Sequence, residues 1–271
     1  MRRIKRGAVM SYVNMDRILK RRKAMILSYD FGIEHGPSSM NEKNIDPSYA
    51  LDIALEGRYT GIVLTPGIAQ KYYNSVYVDV PLIVKINAKT SIPDIYPLSK
   101  QICSVERAVK LGASAIAYTI YDGSPNEPEE FREFGRVVEQ AHDYGIPVIA
   151  YMYPRGPSVK NELDPELLAY SARVGLELGA DFVKMKYNDH VQSFSWVVKC
   201  AGRARVLVTS DYKTENEYLL KRTYDIMQTG ATGIVIGPHI WKSQKPFTIS
   251  KALSAVVFEN KTPAHAGLHL R

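Results

Sequence analysis

The sequence predicts an α/β chain folded as one (β/α)8 TIM barrel. Three observations carry this prediction. Eight short apolar runs recur about every thirty residues, and segments of helical period lie between them. No linker, internal repeat or low-complexity block interrupts the 271 residues, a length that suits one large domain. The alternative, an open doubly wound sheet, is weakened because no Gly-x-Gly-x-x-Gly turn follows the first run. The expected organisation is one barrel domain over 1–271, with a basic lead-in at 1–23 and a loose tail at 260–271.

Each unit can be justified in turn. Ala24-Met25-Ile26-Leu27-Ser28-Tyr29 reads as a buried strand ending at Asp30, followed by a loop over 31–37 and a helix over about 47–56. Strands follow at 61–65 and 82–86. Ser104 is the expected N-cap of a helix through Leu111, with Glu106 favourably placed at the positive end of its dipole. Residues 113–120 form the fourth strand, and a charged helix covers about 127–144. The fifth strand, 148–153, is closed by Pro154-Arg155-Gly156-Pro157, and Asp164-Pro165 supplies N-cap and N1 of the next helix. Gly179 caps that helix, and 180–187 is the sixth strand. The seventh is 206–208, a helix begins at Thr214 and ends before Gly230, the eighth strand is 233–237, and a last helix spans about 248–258.

Composition narrows the function classes. No apolar run is long enough to span a membrane, and no signal-peptide core follows the basic N-terminus. Cys103 and Cys200 are far apart without metal-type spacing, so they read as free thiols of a reducing cytoplasm. No His/Cys/carboxylate cluster suggests a metal, and no cofactor is expected. The net charge of +7 is concentrated at 1–23, where nine basic side chains face Asp16 alone. That segment lacks interleaved aromatics for base stacking, so a solvated lead-in or a subunit contact is preferred over nucleic acid.

The strongest chemical signal lies in the sixth strand. Side chains alternate along a strand, so Phe182, Lys184 and Lys186 share one face. Lysines on the inward face of an apolar strand are costly unless they act. A desolvated lysine beside another cation loses its proton more readily and becomes a nucleophile for carbonyl carbon. The plainer reading is that the strand ends near Lys184 and both lysines are solvated. In a barrel, catalytic groups stand at the carboxyl ends of strands, which here offer Asp30, Tyr151, Tyr153, Lys184 and Lys186. An acid, a phenol and an amine at one opening suit Schiff-base chemistry, with the phenol moving a proton at carbon and the carboxylate one at a hydroxyl. Asp30 could instead cap its loop, Tyr153 could simply pack, and His35 could merely hold the first loop.

Several longer stretches carry a resemblance. They are 29–37 (Tyr-Asp-Phe-Gly-Ile-Glu-His-Gly-Pro), 67–73, 82–87, 112–115, 118–124, 153–156 (Tyr-Pro-Arg-Gly), 179–187 and 194–196. Together they resemble the archaeal-type class I fructose-bisphosphate aldolases, over nearly the whole chain. The resemblance implies reversible aldol cleavage of a ketose phosphate, by default fructose 1,6-bisphosphate to dihydroxyacetone phosphate and glyceraldehyde 3-phosphate. It also implies a metal-free cytoplasmic homo-oligomer active in glycolysis and gluconeogenesis. Lys184 matches the Schiff-base lysine, Tyr153 the proton-handling tyrosine and Asp30 the carboxylate at the scissile bond. Lys186, Arg155 and His35 fall where substrate hydroxyls or a phosphate are contacted, and Tyr151 where an aromatic lines the pocket.

The departures are concentrated on substrate-binding turns. Phe31 replaces the histidine of an Asp-His-Gly loop, and Ser39 stands where an acid often follows. Thr209-Ser210-Asp211 replaces a Ser-Gly-Gly phosphate cradle, and Gly237-Pro238-His239 replaces Gly-Arg-Asn. Glycines permit close backbone approach, Asp211 adds a negative charge and Pro238 removes both a cation and an N–H donor. Lys213, Lys242 or His239 are candidate compensations. The alternatives are therefore a diverged family member acting on another ketose or carbonyl compound, or a non-catalytic barrel.

Overall fold

The computed structural model describes residues 13–93, 97–209 and 215–270. Eight parallel strands close into a barrel: β1 (Ala24–Tyr29), β2 (Gly61–Leu64), β3 (Leu82–Lys85), β4 (Ala113–Ile120), β5 (Val148–Met152), β6 (Phe182–Lys186), β7 (Arg205–Thr209) and β8 (Gly233–Ile236). Each pairs with its neighbours in sequence, and β1 closes on β8 through Ala24↔Gly233 to Leu27↔Ile236. The intervening helices are α1 (Pro47–Glu56), α2 (Pro66–Tyr72), α3 (Val105–Lys110), α4 (Glu127–Asp143), α5 (Pro165–Glu177), α6 (Val191–Cys200), α7 (Asn216–Gln228) and α8 (Pro246–Glu259). The predicted TIM barrel is therefore the observed fold.

The strands read as unbroken apolar runs because a parallel barrel buries both faces. Ile26, Val63, Ile83, Ile149, Phe182, Leu207 and Val235 fill the interior, while Met25, Leu27, Ile62, Leu64 and Val183 face the helix layer. Helix starts follow their caps. The Asp46 carboxylate accepts from Ser48 N–H at 2.9 Å ahead of Pro47, Ser104 accepts from Arg107 N–H at 3.1 Å, and Asp164 accepts from Glu166 and Leu167 N–H ahead of Pro165.

Some segments differ from expectation. Of the basic lead-in, residues 1–12 lie outside the described residues. The described remainder carries a 3₁₀ turn, Met15–Ile18, whose fully buried Ile18 packs into the interior cluster and closes the N-terminal end of the barrel. The tail expected to be loose forms short turns at Pro263–Ala266 and Gly267–Leu270 that pack on α7 and α8, with Ala266 buried. The last helix begins at Pro246, because proline suits N1. Thr214 lies outside the described residues, and α7 starts after Glu215.

Below the β5–β6 pair, His142 Nε2 lies 2.9 Å from Asp181 Oδ2, which also accepts from Val148 N–H at 2.8 Å. The hydrogen bond to Asp181 raises the His142 pKa against the opposing effect of burial. Stability from this pair is complete below the unfolded histidine value of about 6.5 and is lost as pH rises through the higher folded value. Urea midpoints should therefore fall between pH 6 and pH 8, and His142→Gln should flatten that dependence. An equal slope in both proteins would remove His142 as its cause.

Candidate active site

A cavity of roughly 280 Å3 opens at the carboxyl ends of the strands. Asp30, Phe31 and His35 reach it from the loop after β1, Tyr151, Tyr153 and Arg155 from β5 and its loop, Lys184 and Lys186 from β6, Thr209 from β7 and Pro238 from the turn after β8. Gly237 is buried beside Pro238 and is not on the wall. Ser210 and Asp211 lie outside the described residues, as do Lys213 and the side chain of Ser39. The alternation expected for β6 places Phe182 in the interior core, Lys184 above it and Lys186 at the mouth.

Lys184 is buried, with 6% of its surface exposed, so the solvated alternative does not describe it. Its ammonium sits 3.9 Å from the centre of the Tyr151 ring and 5.8 Å from that of Tyr153. Tyr151 and Lys184 are register partners across β5 and β6, which sets this contact. A ring face is one of the few surfaces that offset desolvation of a cation without binding its protons. Burial pushes the Tyr151 phenol well above its ordinary pKa, and its hydroxyl has no hydrogen-bond partner among the described residues. It is therefore a neutral wall.

The second cation expected beside Lys184 was Lys186. Instead Lys186 donates to Glu162 Oε1 at the rim. The buried neighbour is Lys85, from the end of β3, which sequence reasoning missed. Lys85 donates to Asn87 O at 2.8 Å and lies 5.6 Å from the Tyr151 ring centre. Burial lowers its pKa to about 8, against the pull of Asp30 and Glu34, and the Lys184 charge pushes the same way. The signal was present in Leu82-Ile83-Val84-Lys85-Ile86, a lysine at the end of an apolar strand just as in β6.

Other groups are held more locally. Asp30 accepts from the Ser28 hydroxyl, and Ser28 O accepts from Trp241 Nε1 at 3.0 Å. The Phe31 and His35 rings stack with centres 4.1 Å apart. Arg155 lies over Tyr121 and Tyr153, 5.7 Å from each ring centre. The buried Thr209 hydroxyl lacks a partner among the described residues. His239 Nε2 meets Asn216 Oδ1 at 3.1 Å, Lys242 lies over Trp241, and neither lines the cavity. The wall carries Lys85, Lys89, Arg155, Lys184 and Lys186 against Asp30 and Glu34, a balance that favours an anionic ligand.

Behind the wall, Glu130 accepts from Tyr121 N–H at 2.8 Å and Ser99 N–H at 3.3 Å, and burial raises its pKa to about 7. Asp122 is raised by burial to about 6, and its carbonyl accepts from Arg155 N–H at 2.9 Å. These contacts fix the loops after β4 and β5.

Residues 24–243 match the DeoC/LacD aldolase family. A Thermoproteus tenax protein named fructose-bisphosphate aldolase class 1 is 43% identical over 90% of this chain and 94% of its own length. An Archaeoglobus fulgidus protein named 2-amino-3,7-dideoxy-D-threo-hept-6-ulosonate synthase 1 is 35% identical over 91% of this chain and 90% of its own. A solved archaeal fructose-1,6-bisphosphate aldolase, with its catalytic lysine bound to the carbinolamine intermediate of the substrate, superposes with a TM-score of 0.86. It is 43% identical, covering 89% of this chain and 97% of that one.

The position of Arg155 depends on its neighbour. A Cβ on Gly156 would lie 1.7 Å from Gly123 O, an overlap of backbone that side-chain motion cannot relieve. Gly156→Ala should therefore lower stability by about 3 kcal/mol, at the upper end for overpacking. Chemical denaturation measures it, and a loss under about 0.5 kcal/mol, the range of a neutral surface change, would contradict this packing.

Proposed function

The chain belongs to the DeoC/LacD family of aldolases, and we propose that it is a class I aldolase acting through a Schiff base on Lys184, with fructose 1,6-bisphosphate as its default substrate. The observation that carries the reading is the buried Lys184 ammonium against Tyr151, with Lys85 beside it. Mutual repulsion between Lys85 and Lys184 disfavours both being charged at once, so the pair gives up a proton more readily than a free lysine does.

The roles then follow from chemistry. The Lys184 amine adds to the C2 carbonyl, and loss of water leaves an iminium. Asp30 takes the proton of the C4 hydroxyl as the C3–C4 electron pair moves into the iminium, releasing an aldehyde and leaving an enamine. Tyr153 returns a proton to C3, and water then hydrolyses the iminium to free the ketone. Lys186, Arg155 and His35 are the proposed contacts to hydroxyls and phosphate, with Phe31, Tyr151, Thr209 and Pro238 lining the pocket and Gly237 behind Pro238. Ser210 and Asp211 keep their sequence-based assignment to the phosphate turn. We also infer a cytoplasmic homo-oligomer, supported by the family resemblance and by two free thiols.

A diverged substrate is the second reading. Pro238 offers no N–H where a phosphate turn is expected, and the Archaeoglobus relative is named for a different reaction. Borohydride reduction with dihydroxyacetone phosphate and with dihydroxyacetone separates the two. A phosphate-dependent adduct supports the default substrate, and preferential labelling by the unphosphorylated ketone supports divergence.

Lys184→Met should abolish the adduct with the fold intact, and ketose cleavage at the parent rate would overturn the assignment. Lys85→Met should move the rising limb of the imine-formation pH profile to higher pH and slow trapping at pH 7 by about tenfold, the equivalent of one unit. An unmoved limb would show that Lys85 does not act on Lys184.

A further inference from the structure

The loop between β5 and α5 carries a carboxylate that the proposed chemistry does not use. Glu162 Oε1 accepts from Lys186 Nζ, and Glu162 Oε2 lies 3.5 Å from Arg155 Nε. Each oxygen thus engages one of the two rim cations proposed to meet a substrate anion. Burial works against this carboxylate, but Lys186 and Arg155 outweigh it and hold its pKa below the ordinary range. It is therefore an anion at neutral pH.

Both cations have anchors besides Glu162. The Arg155 backbone is tied to Asp122 O, and its guanidinium lies over two rings. Lys186 is on a barrel strand, 6.0 Å from the Tyr153 ring centre. Glu162 sits instead on a turn, with 37% of its side chain exposed, so water can receive it. Lys89, a third cation on the wall, already meets Glu34 at 3.3 Å. A phosphate group carries about −1.5 to −2 charge at pH 7 and three acceptor oxygens, so it can take over both donors from a singly charged carboxylate.

We infer that Glu162 is a resident counter-anion that competes with the substrate's anionic group for Lys186 and Arg155, and so sets the preference between phosphorylated and unphosphorylated substrates. The substrate part rests on the aldolase reading; the anion site does not.

The test is calorimetric titration of the full chain with inorganic phosphate, in the wild type, Glu162→Gln and Lys186→Met. Glu162→Gln should bind phosphate about tenfold more tightly, equivalent to about 1.4 kcal/mol, and Lys186→Met should bind it more weakly. With fructose 1,6-bisphosphate, the gain should fall on KM rather than kcat and be absent with unphosphorylated fructose. Unchanged or weaker phosphate binding in a Glu162→Gln protein with wild-type melting overturns the inference, whether or not the enzyme cleaves ketoses. Tighter phosphate binding without any Lys184 adduct upholds the counter-anion and removes the aldolase reading instead. Should Glu162→Gln melt early, Glu162→Asp takes its place, and its shorter reach should give a smaller gain of the same sign.

Discussion

The site is governed by the difficulty of holding ammonium groups inside an apolar barrel. A cation removed from water loses solvation that only strong dipoles or charges replace. Here the replacement is shared. The Tyr151 face receives Lys184, the Asn87 carbonyl receives Lys85, and Asp30 and Glu34 pull on Lys85 from the β1 side. Tyr151 is the centre of this arrangement because it is the register partner of Lys184 and also lies near Lys85. Its own phenol stays neutral for the same reason that the lysines are costly, since burial disfavours its charged form.

The β5–β6 pair turns this constraint into a gradient. Ile149 and Phe182 lie in the dry interior, Tyr151 and Lys184 in the next layer, and Tyr153 and Lys186 at the mouth. Strand alternation produces those layers directly, since each step of two residues stays on one face. Ile18 closes the bottom as a fully buried member of the same interior cluster. At the rim, where water helps, cations meet carboxylates outright, as in Lys186 with Glu162 and Lys89 with Glu34. The deep lysines thus meet a ring face and a backbone carbonyl, whereas the rim lysines meet carboxylates.

Much of this could be read from the sequence, and what could not has a common cause. The eight strands were legible because parallel strands in a barrel are apolar on both faces. Asp164 and Ser104 announced their helices because a side-chain cap is a local interaction. The shared face of Lys184 and Lys186 followed from parity alone. Their partners did not. Glu162 is 24 residues from Lys186, and Lys85 meets Lys184 only because the closed barrel brings β3 and β6 to one mouth. Pairings across a fold leave no periodic trace, so neither Lys85 nor Glu162 can be assigned to its lysine from sequence alone. Ile18 was hidden differently, as one buried residue inside a stretch dominated by solvated charge.

The departures at the β7 and β8 turns can coexist with intact lysine chemistry because the two depend on different physics. The reactivity proposed for Lys184 needs desolvation, a ring face and a neighbouring charge, all supplied by strands β3, β5 and β6 and by the β1 loop. Recognition of an anionic end needs backbone N–H groups or cations on loops, which a barrel can change without disturbing its strands. Pro238 withdraws one such N–H on the β8 side, while Arg155 and Lys186 remain on the β5–β6 side. The anion-binding capacity of the described site is thereby weighted toward the rim where Glu162 already stands. The two proposals therefore act at different depths: substrate preference at the rim, where Glu162 holds Lys186 and Arg155, and bond cleavage one layer deeper at Lys184.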